Sequence, residues 1–416
     1  MSHESQELRV IILEPFGNGV RGHHRSSLNE IIRRLYPVRP VVVASTRWKG
    51  PPLLHDIQTL HLFEERPHRG LRRTWDKVGL QMYSAVKKLA APVRDIMYSE
   101  RSLARLAPRQ WPELLTLCEQ TNLYEADHVV LPTAEPDLTK ELLELLASHV
   151  CDRPRIHARF LSKTYRRGLV DLDELLRRVA LGQGRNQLHI YVEMPAMQRY
   201  IETHHGIGSD LFPYLLADPV PARQWRNPDG PVVFGFLGGV REHKGFERLL
   251  PIIHAVCDGF SYDKRRIRFL VQLDGATSRA KKWIAALKAG VARLDVDIHF
   301  HEGTASAEQY ADLFDSVDCL LLPYLAKQYL LSGSGLLQEA LVHGKPFICS
   351  SNLSFSDYAR AGNALQADDD AAFASAILRM ASDPAPFIEA ARRNACAYAA
   401  ELRDNVLVQR LLQPTR

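Results

Sequence analysis

The sequence predicts an α/β protein with two parallel-sheet domains, and three observations carry that prediction. Short apolar runs alternate with amphipathic stretches of helical length along most of the chain, which is the pattern of βαβ units. The alternation stops at a proline-rich segment (Pro213, Pro219, Pro221, Pro228, Pro231) and then restarts in the same form. The 416 residues exceed one ordinary domain and suit two, each able to bury its own core. The expected boundaries are 1–217 for the first domain, 218–388 for the second and 389–416 for a terminal helical segment.

Composition narrows the class. With 46% hydrophobic and 24% charged residues the chain reads as a soluble globular protein. A formal charge of +5 is slight for this length and gives no reason to expect a nucleic-acid partner. The six cysteines (118, 151, 257, 319, 349, 396) form no C-x-x-C pair, and several sit in apolar runs as small core residues do. No signal peptide precedes the first strand, and no apolar run approaches ~18 residues. A reduced, cytoplasmic protein is expected, with the inner face of a membrane as a peripheral site.

The first half opens with a strand at 8–13, a loop Glu14-Pro15-Phe16-Gly17-Asn18-Gly19-Val20-Arg21-Gly22, and a helix at 26–35 with Leu28, Ile31, Ile32 and Leu35 on one stripe. The loop satisfies G-x-G-x-x-G, so an NAD(P)-dependent oxidoreductase is one reading. The next strand, 41–44, does not end in the acidic residue that would hold a ribose; Arg47 follows it, a candidate for a 2′-phosphate. The other reading is a tight turn, with Gly17 and Gly19 beside a ligand and His23 and His24 touching it or standing in solvent. Residues 66–109 hold eleven Lys or Arg against three Asp or Glu, interleaved with Trp75, Leu80, Met82 and Tyr83. That segment suits an anionic membrane surface, a phosphorylated acceptor, or simply a solvated helical face.

Helices are expected at 114–123, 138–149, 169–181 and 196–203, with strands at 126–132, 155–160 and 188–192. His157 lies within its strand, either as an acceptor-side group or as a core histidine. Arg159 and Lys163, nearer the strand's end, are candidates to meet an anionic acceptor. After the prolines come strands at 232–237, 268–273 and 297–301 and helices at 246–256, 280–294 and 307–315. Helices at 370–380 and 386–412 close the chain.

The stretch from Asp318 to Cys349 holds the densest signal. The apolar run 319–322 ends at Pro323, as a buried parallel strand does. A loop ending Ser332-Gly333-Ser334-Gly335 leads into a helix at 336–343, stopped by Gly344 and Pro346, and a strand at 345–350. Ser334 stands where an N-cap belongs, and the small residues let an anion reach the free N–H groups of the first turn. Glu339 follows about a turn and a half later. Phosphate-holding amides beside a carboxylate that can take two hydroxyls suit a nucleotide-sugar site; a capped helix with Gly335 present for packing is the plain alternative.

Taken together, Phe236-Leu237-Gly238-Gly239-Val240-Arg241-Glu242-His243-Lys244-Gly245-Phe246, Asp318 to Pro323, and Gly333 to Leu341 with Gly344-Lys345-Pro346 resemble the donor-binding domain of retaining GT-B glycosyltransferases of the family 4-like group. That group includes sucrose synthase-like and bacterial polysaccharide-building enzymes. The likeness is close over residues 230–382 and holds only in outline before them. It implies two Rossmann-like domains facing across a cleft, with the last helix packing back on the first domain.

The resemblance also implies roles. Lys244 matches one member of a basic pair that clamps the diphosphate. The other member normally follows the glycine matched by Gly238, where this chain has Gly239, and Arg241 stands in for it with a guanidinium that forks phosphate. Glu339 matches a ribose-holding glutamate, and Ser334 and Gly335 match the phosphate-facing helix start. A second family glutamate falls at Leu331, so Ser332 or backbone N–H groups serve there. Lys244, Arg241 and the helix N-terminus would stabilise the departing nucleoside diphosphate in place of a divalent metal. The Asp-x-Asp triplets at 171–173 and 295–297 read as caps and surface charge. The implied activity is transfer of a hexose from a UDP- or GDP-linked donor to a glycan or glycolipid, with retention and without further cofactor. A non-catalytic sugar-nucleotide binder is the third reading, motivated by Leu331.

Overall fold

The computed structural model describes residues 8–15, 23–46, 48, 53–63, 113–147, 154–163, 171–182, 184, 187–213, 230–259, 267–275, 277–359, 361–403 and 406–413. The Gly17 to Gly22 loop, Arg47, the basic segment 66–109, Cys151 and most of the proline-rich segment lie outside these residues, as do the side chains of His23 and His24. The chain divides into two compact units. The first comprises residues 1–191, 204–209 and 407–416, the second residues 192–203 and 210–406.

Among the described residues the first sheet has seven strands in the order β3-β2-β1-β4-β5-β6-β7. They are β1 (Val10–Glu14), β2 (Val41–Ser45), β3 (Thr59–Phe63), β4 (His128–Leu131), β5 (Arg155–Phe160), β6 (Leu188–Val192) and the two-residue β7 (Asp210–Leu211). All five residues of β1 and all four of β4 are buried, as central strands covered on both faces must be. β1 pairs in parallel with β2 and β4 (Ile11 opposite Val41 and Val129), and β4 with β5. Helices α1 (His23–Leu35), α2 (Glu113–Thr121), α3 (Pro136–Ala147), α4 (Leu172–Ala180) and α5 (Pro195–His205) make the connections. On α1, Leu28, Ile31, Ile32 and Leu35 are all buried, the stripe that the sequence spacing requires.

The second unit repeats the plan. Its sheet runs β10-β9-β8-β11-β12-β13, with β8 (Val232–Phe236), β9 (Ile267–Leu273), β10 (Asp297–Glu302), β11 (Cys319–Leu322), β12 (Phe347–Ser350) and β13 (Ala364–Ala367). The helices are α6 (Leu249–Asp258), α7 (Ser278–Val291), α8 (Ala307–Ser316), α9 (Ala326–Tyr329), α10 (Gly335–Val342), α11 (Asp370–Ser382), α12 (Ala385–Arg403) and, returning to the first unit, α13 (Val406–Leu411). Phe234, Phe269, Ile252, Ile253, Leu321, Ile348, Phe373 and Ile377 form the centre of the core around the sheet. Strand order reverses between β8 and β11, so the loops leaving their carboxyl ends flank the crevice where such sheets bind ligands.

Some boundaries differ from the sequence expectation for local reasons. The helix expected from 246 begins as a 3-10 turn, Phe246–Arg248, because Gly245 before it is left-handed (φ 66°). The strand expected from 345 begins at Phe347, because the Lys345 N–H bonds back to the Ala340 carbonyl at 2.9 Å and completes the end of α10. Thr277 caps α7 through the Ala280 N–H, and Ser306 with Gln309 forms a capping box on α8. Asp171 is likewise a cap, accepting from the Glu174 N–H at 2.9 Å. Asp173 pairs with Lys163 and His205, and Asp297 with Arg268. Both Asp-x-Asp triplets are thus engaged in local structure.

Candidate functional site

The site is assembled by the loop after β8. Gly238 adopts φ 96° and its N–H donates to the Gln272 side-chain oxygen on β9 at 2.7 Å. The Val240 N–H donates to the Asp274 carbonyl at 2.7 Å, which carries the chain along the end of β9. A 3-10 turn, Glu242–Lys244, then ends at Gly245. A Cβ at Gly245 would lie 2.0 Å from the Pro323 carbonyl oxygen, so the loop packs backbone against backbone on the end of β11. The Leu325 N–H donates to the His243 carbonyl at 2.9 Å and locks the two loops together. Arg248 braces them from beneath, donating to Asp370 (2.7 Å), Ser350 (3.0 Å) and the Pro323 carbonyl (3.3 Å).

This geometry turns Lys244 inward. Its Nζ is so near Gly238 that a Cβ there would approach it to 2.5 Å, and it lies 5.9 Å from the centre of the Tyr324 ring. Burial, and next the neighbouring Arg241 charge, lower the ammonium pKa to about 8, with Glu339 and Asp274 acting in the opposite sense. Lys244, Arg241, Asp274 and Glu339 therefore share one electrostatic environment. On α10, Glu339 accepts a hydrogen bond from the Tyr310 hydroxyl of α8 at 2.5 Å. Burial raises its pKa, while Tyr310 and Lys244 oppose the rise.

Ser334 occupies the N-cap position of α10 with extended dihedrals, yet its side chain makes no cap bond. It is buried beside Tyr324. The Tyr324 ring is 1% exposed, and burial holds its hydroxyl firmly protonated beside Ser334. The first turn of α10 therefore has N–H groups that no side chain caps. The Ser332 carbonyl accepts from Ser354 Oγ at 2.6 Å, which anchors the glycine-serine loop before the helix.

Lys244, Arg241, Gly238, Gly239, Ser332, Ser334, Gly335 and Glu339 are thereby placed on the loops and helix at the β8–β11 reversal. Sequence reasoning missed Tyr310, Tyr324, Gln272 and Asp274. Tyr310 precedes Glu339 by 29 positions and Gln272 follows Gly238 by 34, so no local spacing announces either contact.

His157 lies elsewhere, on β5 in the first unit, 1% exposed and stacked 5.0 Å from His189. Its hydrogen bonds fix a direction of donation. The Gln413 carbonyl can only accept, so His128 Nε2 donates to it (2.9 Å) and Nδ1 accepts from His157 Nε2 (3.0 Å). His157 Nδ1 then accepts from the Tyr191 hydroxyl (2.9 Å), which accepts from Arg410 (3.2 Å). Burial first, then the charges around it, hold the His157 pKa well below the usual histidine value, and burial lowers that of His128. This chain of neutral rings joins α13 and the residues after it to the strands β4, β5 and β6. Arg159 is buried with one N–H 3.4 Å from the Pro132 carbonyl.

Among the described residues no cluster of His, Cys, Asp or Glu is arranged to hold a metal ion, and no helix is long and apolar enough to cross a membrane.

Comparison with known proteins follows the same lines. Residues 231–383 match the family model described as glycosyl transferases group 1. No curated protein matches at the sequence level. Among solved structures, Anabaena Alr3699/HepE in complex with UDP superposes with a TM-score of 0.62 at 16% identity, covering 97% of this chain and 98% of that one. Sucrose-phosphate synthase from Thermosynechococcus elongatus does so at 0.61 and 14%, covering 97% and 99%. A glycosyltransferase from Rickettsia africae gives 0.62 at 10%, covering 98% and 100%. At these identities the likeness establishes the fold. Residues 231–383 thus match the glycosyl transferases group 1 family, and the chain as a whole has the GT-B fold of two Rossmann-like domains.

Proposed function

We propose that this protein is a glycosyltransferase that moves a hexose from a UDP- or GDP-linked donor to a glycan or glycolipid acceptor, with retention at the anomeric carbon. The observation that carries the reading is the convergence of Lys244, Arg241 and Glu339 at the strand-order reversal, beside the uncapped start of α10. Fixed cations and free amides there suit a diphosphate, and a carboxylate four residues into the helix suits the ribose hydroxyls. The solved structures with UDP or UDP-glucose bound favour a uridine nucleotide. In this reading Lys244 and Arg241 neutralise the charge that develops as the nucleoside diphosphate departs, and no metal is needed. Gly238 and Gly239 let the donor's phosphates approach the backbone. Ser332 and the loop amides face the sugar. Gly17 and Gly19 serve the donor, His23, His24 and the first domain (1–217) serve the acceptor, and the segment 66–109 rests on an anionic membrane when the acceptor is a lipid. His157 has a supporting role within the first unit. The family match at 231–383 favours sugar transfer over an oxidoreductase built on the Gly17 to Gly22 loop.

Calorimetric titration with UDP, GDP, uridine and NADPH tests the proposal. One nucleoside diphosphate should bind, and Lys244→Ala should weaken it by about tenfold to a hundredfold, the loss expected for a charged hydrogen bond, while leaving the nucleoside unchanged. Equal loss for both ligands removes Lys244 from the phosphates, and binding of NADPH with neither diphosphate bound overturns the reading.

A further inference from the structure

Glu339 does not stand alone on α10, because α8 meets the stretch that carries it at two matched positions. Tyr310 and Phe314 lie one turn apart on α8, and Glu339 and the C-cap His343 lie one turn apart at the end of α10. The Tyr310 hydroxyl donates to Glu339 Oε2 at 2.5 Å. The Phe314 ring meets the His343 ring edge-on, with centroids 5.2 Å apart. Two rungs, spaced four residues apart on both helices, therefore join α8 to α10.

The aromatic rung and the cap of α8 fix the polar one. Phe314 is buried, and Lys345 Nζ lies 5.1 Å from the centre of its ring. The Tyr310 ring packs 6.3 Å from Phe314, and the capping box of Ser306 and Gln309 starts the helix one turn earlier. On the other side the His343 N–H donates to the Glu339 carbonyl at 2.9 Å. The backbone of Glu339 is thus held by His343 and its carboxylate by Tyr310, before any ligand arrives.

The chemistry of the pair gives the hydroxyl a use beyond packing. Ribose hydroxyls donate, and only an ionised carboxylate offers all its lone pairs to them. Burial pushes the Glu339 carboxyl toward its protonated form; the Tyr310 hydroxyl first and the Lys244 ammonium second oppose that rise. Tyr324, the remaining group that acts on it electrostatically, is itself held protonated by burial and brings no charge. A phenol takes one of about four acceptor positions on the carboxylate and leaves capacity for two hydroxyls, whereas an ion pair at the same oxygen would compete for more.

We infer that Tyr310 is a positioning residue for the nucleoside: its hydroxyl aims the Glu339 carboxylate at the ribose and keeps it able to accept both ribose hydroxyls. The inference rests on the reading above, in which Glu339 holds the ribose.

The test titrates UDP and 2′,3′-dideoxy-UDP into the full chain by calorimetry between pH 8 and pH 5, with GDP and its dideoxy counterpart as a second pair. The ratio of the two affinities isolates the ribose hydroxyls, because the phosphates and Lys244 are common to both ligands. In the pair that binds, the wild type should prefer the ribonucleotide by about tenfold at pH 8 and lose that preference in acid as Glu339 takes up a proton. Tyr310→Phe should lose it at a pH higher by about one unit, the shift expected when a charged group gives up one hydrogen bond. Phe314→Leu, which loosens the other rung and spares the hydroxyl, should leave the position of the fall unchanged. A Tyr310→Phe preference that is lowered equally at every pH, or not altered at all, would make Tyr310 a packing residue only and overturn the inference. An equal shift in Phe314→Leu would overturn it as well. A wild type that binds both nucleotides of a pair equally would take Glu339 off the ribose and overturn it while the diphosphate site stands, and failure to bind either UDP or GDP would remove the parent reading itself.

Discussion

Lys244 gives the account a pH signature. In the free protein burial and Arg241 hold its pKa at about 8, so the ammonium is charged at pH 7 and half neutral near pH 8. A diphosphate set against it restores the pKa toward an ordinary lysine value of about 10.4. Above pH 8 binding must then take up a proton, and affinity falls as pH rises. Between pH 7 and pH 9 the linkage amounts to a loss of about tenfold in Kd, or roughly 1.4 kcal/mol, with almost none of it below pH 7.5. Isothermal titration with UDP at pH 7, 8 and 9, in buffers of different ionisation enthalpy, reads both the loss and the proton uptake. Lys244→Gln isolates the lysine, because ionisation of the uracil ring persists in that variant and can be subtracted. A wild type whose pH dependence equals that of Lys244→Gln refutes the reasoning.

Further outcomes follow from the same contacts. Glu339→Ala should weaken UDP and uridine alike, by about tenfold, since both carry the ribose; selective loss of UDP would move Glu339 to the phosphates. Gly245→Ala forces a left-handed alanine against the Pro323 carbonyl, and should cost about 1–3 kcal/mol in urea unfolding and abolish nucleotide binding; unchanged stability would show that the two loops are not packed as described. The buried histidines make the protein acid-sensitive. His128 and His157 are depressed when folded, so below about pH 6.5 the unfolded chain takes up protons first and stability falls, by at most about 1.4 kcal/mol per pH unit for each ring. Urea unfolding between pH 7 and 5 should show this slope, and the double variant His128→Gln, His157→Gln should flatten it; equal slopes would place the acid sensitivity elsewhere.

Much of this architecture is legible in the chain. Central strands such as Cys319–Leu322 are wholly apolar because helices cover both faces, and that run is unmistakable between polar loops. Caps are equally local: Asp171, Thr277 and Ser306 each bond an N–H three residues on. Edge strands are not legible in the same way. Thr59–Phe63 and Ala364–Ala367 are only partly buried, and a short half-exposed strand carries no apolar run to mark it. At the site, the glycines and Lys244 stand out because one loop contains them. Tyr310 and Gln272 do not, since each reaches its partner through the tertiary fold, across about thirty residues, and no periodicity encodes that meeting. His157 shows the converse: in sequence it reads either as an acceptor-side group or as a core histidine, and the structure uses it in the core, bonded to His128 and Tyr191.

A crystal structure of the protein with UDP, or with GDP if that nucleotide binds, is the most direct test. The account predicts a phosphate oxygen at about 3 Å from both Lys244 Nζ and an amide of the first turn of α10, with the ribose hydroxyls on Glu339. A diphosphate seated away from the α10 amides, with Lys244 facing no part of it, would contradict the account.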